Sequence, residues 1–259
     1  MNLTIVGYGH TRCGPEWGFA TQGENFHRVY FVLGGDCRCT IHGETYFLQP
    51  GTIYILPRHI PYTMAHTLTD PLYVLWQHVK LTDLDIGQSP LVLPVSPESP
   101  VRHVLQAMED ISRGALMETL PKSGDPVATQ LQALLAALFV LLDVQGRLFT
   151  PVNQRLSQVL QLVGAHPEHR YSVAELAAYA GLERSHFSRL FRQQFHISAH
   201  NYLIRTRLEL GAKALLSGSS VGESAAISGY LDAKAFSRAF SDRYGIPPGQ
   251  YQRTHILQP

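Results

Sequence analysis

The chain has 259 residues, 45% of them apolar and 16% charged, with a formal net charge of +1. That length fits two domains of ordinary size, and the composition excludes a disordered or fibrous chain. The longest apolar run, Ala133 to Leu142, is too short to span a bilayer, and an odd number of cysteines without a Cys-x-x-Cys pair (Cys13, Cys37 and Cys39) argues against a disulfide framework or a zinc site.

The first ten residues have neither a basic start nor a long apolar stretch, so no secretory signal is expected and the reading is a soluble, cytoplasmic protein. Strand-like runs follow. Phe26 to Leu33 is rich in aromatic and β-branched residues and stops at Gly34-Gly35; Cys37 to Ile41, Glu44 to Leu48 and Thr52 to Leu56 are separated by His42-Gly43 and Gln49-Pro50-Gly51; Leu72 to Val79 is a further run. Short strands at this spacing predict an all-β barrel or sandwich. The Pro- and Ser-rich stretch Ser89 to Pro100 reads as a crossing loop.

Helical patterns come next. Val101 to Ser112 is amphipathic, and Thr129 to Val144 sets Leu131, Leu134, Leu135, Leu138, Leu141 and Leu142 at helical spacing, with Gly146 suited to its end. Thr150-Pro151 begins a short linker. Gln154 to Ala165 is a helix, and Ser172 with Glu175 forms a capping box for another, stopping at Gly181.

Charge divides along the chain. Residues 1–149 hold 9 Lys+Arg against 13 Asp+Glu, a balance of −4; residues 150–259 hold 12 against 7, a balance of +5. The basic half is the one suited to a polyanion. It also contains a repeat. His186 to Ile197 aligns with Ala235 to Ile246 at an offset of 49, pairing Phe187 with Phe236, Ser188 with Ser237, Arg189 with Arg238 and Phe191 with Phe240. Upstream, Val173, Glu175, Ala177, Ala178 and Gly181 match Val221, Glu223, Ala225, Ala226 and Gly229 at an offset of 48. Each copy is a helix, a glycine turn and a second helix, the helix-turn-helix pattern, at about residues 172–194 and 220–243. The phenylalanines at i,i+4 face the core, so Ser188, Arg189 and Arg192 point elsewhere, as do Ser237, Arg238 and Ser241.

From about Asn153 to Arg253 the chain resembles the DNA-binding domain of the AraC/XylS family of bacterial regulators, through Tyr171 to Leu182, His186 to Phe191 and Gly245 to Tyr251. The resemblance implies that two recognition helices enter successive major grooves roughly 34 Å apart. It assigns Ser185, Ser188, Arg189 and Arg192 in the first, and Ala233, Lys234, Ser237 and Arg238 in the second, to the base-facing positions. Arg184, Arg205, Arg207, Lys213 and Arg243 suit phosphates or solvent. Ser224 and Ser228 stand where the family usually has aliphatic or other small apolar residues, which implies a softer core in the second unit or a fold more dependent on DNA, and Glu183, a weaker N-cap whose charge still suits the helix dipole, replaces the usual Ser.

A looser resemblance, carried by Leu48 to Pro57 with His59 and Pro61-Tyr62, is to the cupin-like effector-binding domain of the same family. It implies a small-molecule effector, a sugar by the mix of Trp, Tyr and Arg, with Trp17, Arg28, Tyr30, Tyr54, His59, Tyr62, Trp76 and His78 as pocket candidates. His27, His42, His59, His66 and His78 lack the His-x-His pattern of a metal cupin, so no metal site and no cofactor is expected.

The expected architecture is α+β and multidomain: a cupin-like effector-binding barrel over 1–99, a helical dimerisation and linker region over 100–150, and an all-α DNA-binding domain over 151–259. The expected function is a DNA-binding transcription regulator and not an enzyme. Its expected partners are double-stranded promoter DNA, a carbohydrate effector, RNA polymerase and a second copy of the chain, with no membrane. The alternatives are a cupin-type metal-dependent enzyme fused to a helical domain, and a protein-interaction module.

Overall fold

A computed structural model describes residues 1–15, 17–113, 124–143, 146 and 148–256. They fall into two units, Met1–Pro151 and Val152–Pro259.

The first unit runs through β1 (Leu3–Arg12), β2 (Gly18–Thr21), β3 (His27–Gly34), β4 (Cys37–Ile41), β5 (Glu44–Leu48), β6 (Thr52–Leu56), β7 (Tyr62–His66), β8 (Tyr73–Leu81), β9 (Leu84–Asp85) and β10 (Leu91–Pro94). Helices α1 (Val101–Ser112) and α2 (Pro126–Leu142) follow, then β11 (Thr150–Pro151). A five-stranded antiparallel sheet in the order β1-β8-β3-β6-β10 faces a four-stranded one in the order β2-β7-β4-β5.

The five-stranded sheet is covered on both faces, which is why its strands read as unbroken apolar runs. Toward the second sheet it turns Tyr30, Val32, Tyr54, Leu56, Val74 and Trp76, which pack with Cys37, Cys39, Ile41, Tyr62 and Met64. On the other face, Val29, Phe31, Ile53, Ile55, Leu75 and Val79 pack against Leu105 and Met108 of α1 and Leu131, Leu135, Leu138 and Phe139 of α2. All five residues of β6 are buried. The leucine stripe of α2 therefore packs on its own sheet.

Three expectations need correction. Ser89 to Pro100 is not wholly a crossing loop: Leu91–Pro94 pairs with β6, its half-buried Leu91 and Leu93 packing on the core. Pro94 is tolerated because β10 is an edge strand. Thr150-Pro151 is a strand pair with Leu84–Asp85 rather than a free linker. Helix α2 starts at Pro126, not Thr129, because the Asp125 carboxylate accepts from the Val127 and Ala128 amides and Pro126 suits the first turn. Val144, where the expected helix ended, lies outside the described residues.

The second unit comprises α3 (Gln154–Ala165), α4 (Val173–Tyr179), α5 (Arg184–Phe195), α6 (Ala199–Leu216), α7 (Val221–Ile227), α8 (Ala233–Tyr244) and α9 (Pro248–Ile256). Two apolar clusters share α6. Its first half, with Ala199, Tyr202 and Leu203, packs with α3, α4 and α5; its second half, with Leu208, Ala212 and Leu215, packs with α7 and α8.

Candidate functional site

The two helix-turn-helix units are built alike at the level of single hydrogen bonds. Ser172 and Ser220 each accept from the amide three residues on, and Glu175 and Glu223 each return a bond to the cap, forming two capping boxes 48 residues apart. The turns close on Gly181 and Gly229, with φ of 62° and 73°, a region in which a side chain would be strained. Each turn carbonyl accepts from an arginine outside the motif: Gly181 from Arg155 at 3.0 Å and Gly229 from Arg170 at 2.5 Å.

The second helices, α5 and α8, bury Phe187, Phe191, Phe236 and Phe240 completely. Glu183 caps α5 after all, its carboxylate accepting from the Ser185 and His186 amides; these bonds and the Ser185 hydroxyl, which also donates to it, hold the carboxyl below its usual range. Asp232 caps α8 through the Ala235 amide at 2.7 Å.

On the faces turned from the core, Ser185, Arg189 and Arg192 are exposed on α5, and Ala233, Lys234 and Arg238 on α8. Ser188 and Ser237 are half-buried, and the Ser188 hydroxyl donates to the Arg184 carbonyl at 2.8 Å. Arg207 and Arg243 are half-buried, Arg207 lying over the Tyr230 ring at 4.7 Å and Arg243 over Tyr244 at 5.6 Å. Ser228 and Ser224 are both fully buried; the Ser228 hydroxyl has two carbonyl acceptors, whereas Ser224 Oγ has no partner.

In the first unit, alternation along the strands brings most of the effector candidates to one face. Tyr30 is paired in register with both Trp76 and Tyr54, and Arg28 with His78. Arg28 Nε donates to His78 Nε2 at 3.1 Å and Nη1 donates to the Tyr62 hydroxyl from the opposite sheet. The Trp76 and His78 rings lie 4.7 Å apart, and the indole donates to Thr11 Oγ1 at 3.2 Å. A Cβ on Gly9, the register partner of Trp76, would come within 2.6 Å of that indole, so β1 must carry glycine there for the ring to lie flat across it.

Tyr30 and Tyr54 sit deeper and are fully packed. The Tyr54 hydroxyl accepts from the Gln49 amide at 2.8 Å and donates to the Phe47 carbonyl at 3.2 Å, which ties down the β5–β6 turn. Trp17 stands at the rim, edge-on to Phe19 and 5.5 Å from His66. His59 is not on the inner face of a strand: it follows β6 in a left-handed turn with φ of 65°, its amide donating to the Glu24 carbonyl at 2.7 Å.

Phe19 and Phe26 were not foreseen from sequence. Phe26 stacks on His78 at 4.6 Å, and both phenylalanines face the Arg28 guanidinium. Phe26 shares its parity with Arg28 one step before the strand, which is the signal that could have found it. Burial holds His78 well below the ordinary histidine range, with the Arg28 charge acting in the same direction, so its ring is neutral. Among the described residues no three His, Cys, Asp or Glu side chains come together as a metal-ligand set, and no helix is long and apolar enough to cross a membrane.

Comparisons with known proteins agree with this division. A family model described as the AraC-like ligand binding domain matches residues 4–151, and a helix-turn-helix domain model matches residues 176–254. The probable transcriptional regulator LumQ of Photobacterium leiognathi is 25% identical over 234 residues, spanning 88% of this chain and 89% of that protein. The lactose operon transcription activator of Staphylococcus xylosus is 20% identical over 257 residues, spanning 93% and 90%. Among solved structures, apo ToxT from Vibrio cholerae superposes with a TM-score of 0.66 at 11% identity over 98% of this chain and 97% of that one. ToxT with an unsaturated fatty acid bound gives 0.64 at 10% identity over 97% and 94%.

These structural likenesses carry the fold; the family models and sequence relatives carry the function, and they are transcription regulators, which sets aside the metal-enzyme alternative. The chain belongs to the AraC family: it is a DNA-binding transcription regulator with an AraC-like ligand-binding domain ahead of a helix-turn-helix domain.

Proposed function

We propose that this regulator acts in the cytoplasm and binds a sugar in its barrel through the Arg28 cluster. In the same reading it holds two adjacent major grooves of a promoter through α5 and α8. Ser185, Ser188, Arg189 and Arg192 contact the first groove, and Ala233, Lys234, Ser237 and Arg238 the second. Arg189 and Arg238 are suited to bidentate contact with guanine O6 and N7. The observation that carries this reading is the repeat itself. The same side chain stands exposed, 49 residues apart, on two helices whose buried faces are also equivalent.

For the barrel, Trp17, Tyr62, Trp76, His78 and Arg28 supply aromatic faces beside hydrogen-bonding groups, the pairing that sugar rings need, while Tyr30 and Tyr54 form the floor and His59 borders it. The lactose operon activator among the relatives is in keeping with a sugar effector. A second copy pairs through the outer stripe of α2, where Ala133, Ala137, Val140 and Leu141 are exposed at helical spacing. The promoter complex in turn meets RNA polymerase.

Footprinting of the full chain on promoter fragments, with and without sugars, tests this. The expected result is protection of two major grooves one helical turn apart, about 34 Å, with loss of one patch in Arg189→Ala and of the other in Arg238→Ala. A single protected groove, or protection indifferent to both substitutions, would overturn it.

A further inference from the structure

Arg28 is a permanent cation held half-buried near the start of β3. Among the described residues its hydrogen bonds are those to His78 Nε2 and the Tyr62 hydroxyl, which account for two of five N–H donors. The rings of Phe19, Phe26 and Tyr62 lie 4.7, 5.4 and 5.6 Å from the guanidinium carbon. It forms no ion pair with a carboxylate among the described residues. The acid whose charge acts on it, Glu24, accepts from the Thr21 hydroxyl at 2.7 Å.

The other titratable neighbours are neutral at pH 7. Burial holds His78 down, pushes the Tyr62 hydroxyl up to about 12 and raises Tyr30 as well, and it lifts the Cys39 thiol to about 11. Ring faces and neutral acceptors thus make all the direct contacts to this positive charge among the described residues, and the Glu24 carboxylate acts on it without an ion pair. A partly desolvated cation of this kind is better satisfied by an anion than by a hydroxyl.

We infer that the effector is an acidic sugar of the hexuronate type, its carboxylate on the Arg28 guanidinium and its C–H face against Phe19, Phe26 and Trp76. This rests on the reading above that the barrel binds a sugar, and it adds the charge. A neutral sugar would meet the rings but leave the guanidinium without a directly bonded counter-charge.

The test is thermal unfolding of the full chain at pH 7 with D-galacturonate and D-glucuronate beside D-galactose and D-glucose, which differ only at carbon 6. The methyl ester of D-galacturonate and benzoate complete the set. A ligand that binds only the folded state raises the melting temperature. The uronates are expected to raise it; the neutral sugars and the ester are not, and Arg28→Gln should abolish the uronate effect. The ester comparison uses the unaltered protein, so it decides the matter even if that variant folds poorly.

Equal shifts from neutral and acidic sugars would overturn the charge assignment and leave the sugar reading standing. A shift from benzoate alone would overturn the sugar reading and this assignment with it. A uronate shift that survives in Arg28→Gln would place the carboxylate elsewhere and overturn the inference, as would the absence of any shift.

Discussion

The Ser228 hydroxyl donates to the Ser224 carbonyl oxygen at 2.5 Å, one turn back along α7, while the Ser224 hydroxyl, equally buried, has no partner. An unmade hydrogen bond at a buried site costs about 1–3 kcal/mol. Ser224→Ala is therefore expected to stabilise the second helix-turn-helix by about 1 kcal/mol, slowing amide exchange across α7 about fivefold. Slower exchange in Ser228→Ala instead would show that the roles of the two serines are reversed.

Gly9 and Trp76 make a stricter pair. A methyl group on Gly9 must push the indole out of its place, because the contact would be 2.6 Å. Gly9→Ala should destabilise the barrel by about 1–3 kcal/mol and shift tryptophan emission. Unaltered emission and stability would mean that the ring has room to move.

Two buried histidines make stability depend on pH. His27 and His78 are both held well below the ordinary value, chiefly by burial, with Arg58 and Arg28 respectively adding to it. Above about pH 6.5 each is neutral folded and unfolded, and neither contributes. Below it the unfolded chain takes up protons that the folded chain refuses, so stability falls as pH drops from 6.5 toward 5. The slope approaches about 1.4 kcal/mol per pH unit for each group. His78→Gln should remove one such contribution, and denaturant titrations at pH 7, 6 and 5 read it directly. A flat profile over that range would contradict the buried, neutral placement of both rings.

Arg189→Ala and Arg238→Ala should each weaken operator binding by about 1–3 kcal/mol and relax preference at one base pair. Uniform weakening across sequences, with a shallower salt dependence, would instead make either arginine a phosphate contact.

The outer stripe of α2 gives a fifth test. Val140 is 66% exposed on a helix whose opposite face is fully packed. Val140→Glu should leave the fold intact and shift sedimentation from dimer to monomer. A monomeric unaltered chain would remove α2 from consideration.

How much could be read beforehand depended on whether one element or several set the outcome. The helix-turn-helix units were legible because their information is local: caps at fixed offsets, phenylalanines four apart and a glycine at each turn. The strands β3 to β6 were legible from β-branched and aromatic runs. Strand β1 was not, since Gly7 and Gly9 depress its strand signal, and those glycines make sense only against the Trp76 ring on another strand. Strand β10 hid in a Pro- and Ser-rich stretch because its place is an edge, decided by β6 rather than by its own composition. Arg28, Tyr62, Trp76 and His78 were named as pocket candidates and lie together, whereas Phe19 comes from the facing sheet, which the segment around Arg28 does not encode, and Phe26 was readable only from its parity with Arg28. Glu183 was read as a weak cap, yet its longer side chain reaches two amides.

Helix α6 has a further consequence. Its 18 residues are about five turns and about 27 Å of continuous α-helix, and both helix-turn-helix cores are anchored on it. It works as a ruler graduated in residues. Removing one residue from its middle would swing one helix-turn-helix unit about 100° around the axis relative to the other, which under the proposed two-groove reading would take it off the face of the duplex. Under that reading, gradual drift is closed to the helix: only changes of three or four residues, near whole turns, would keep both heads on one side of the axis.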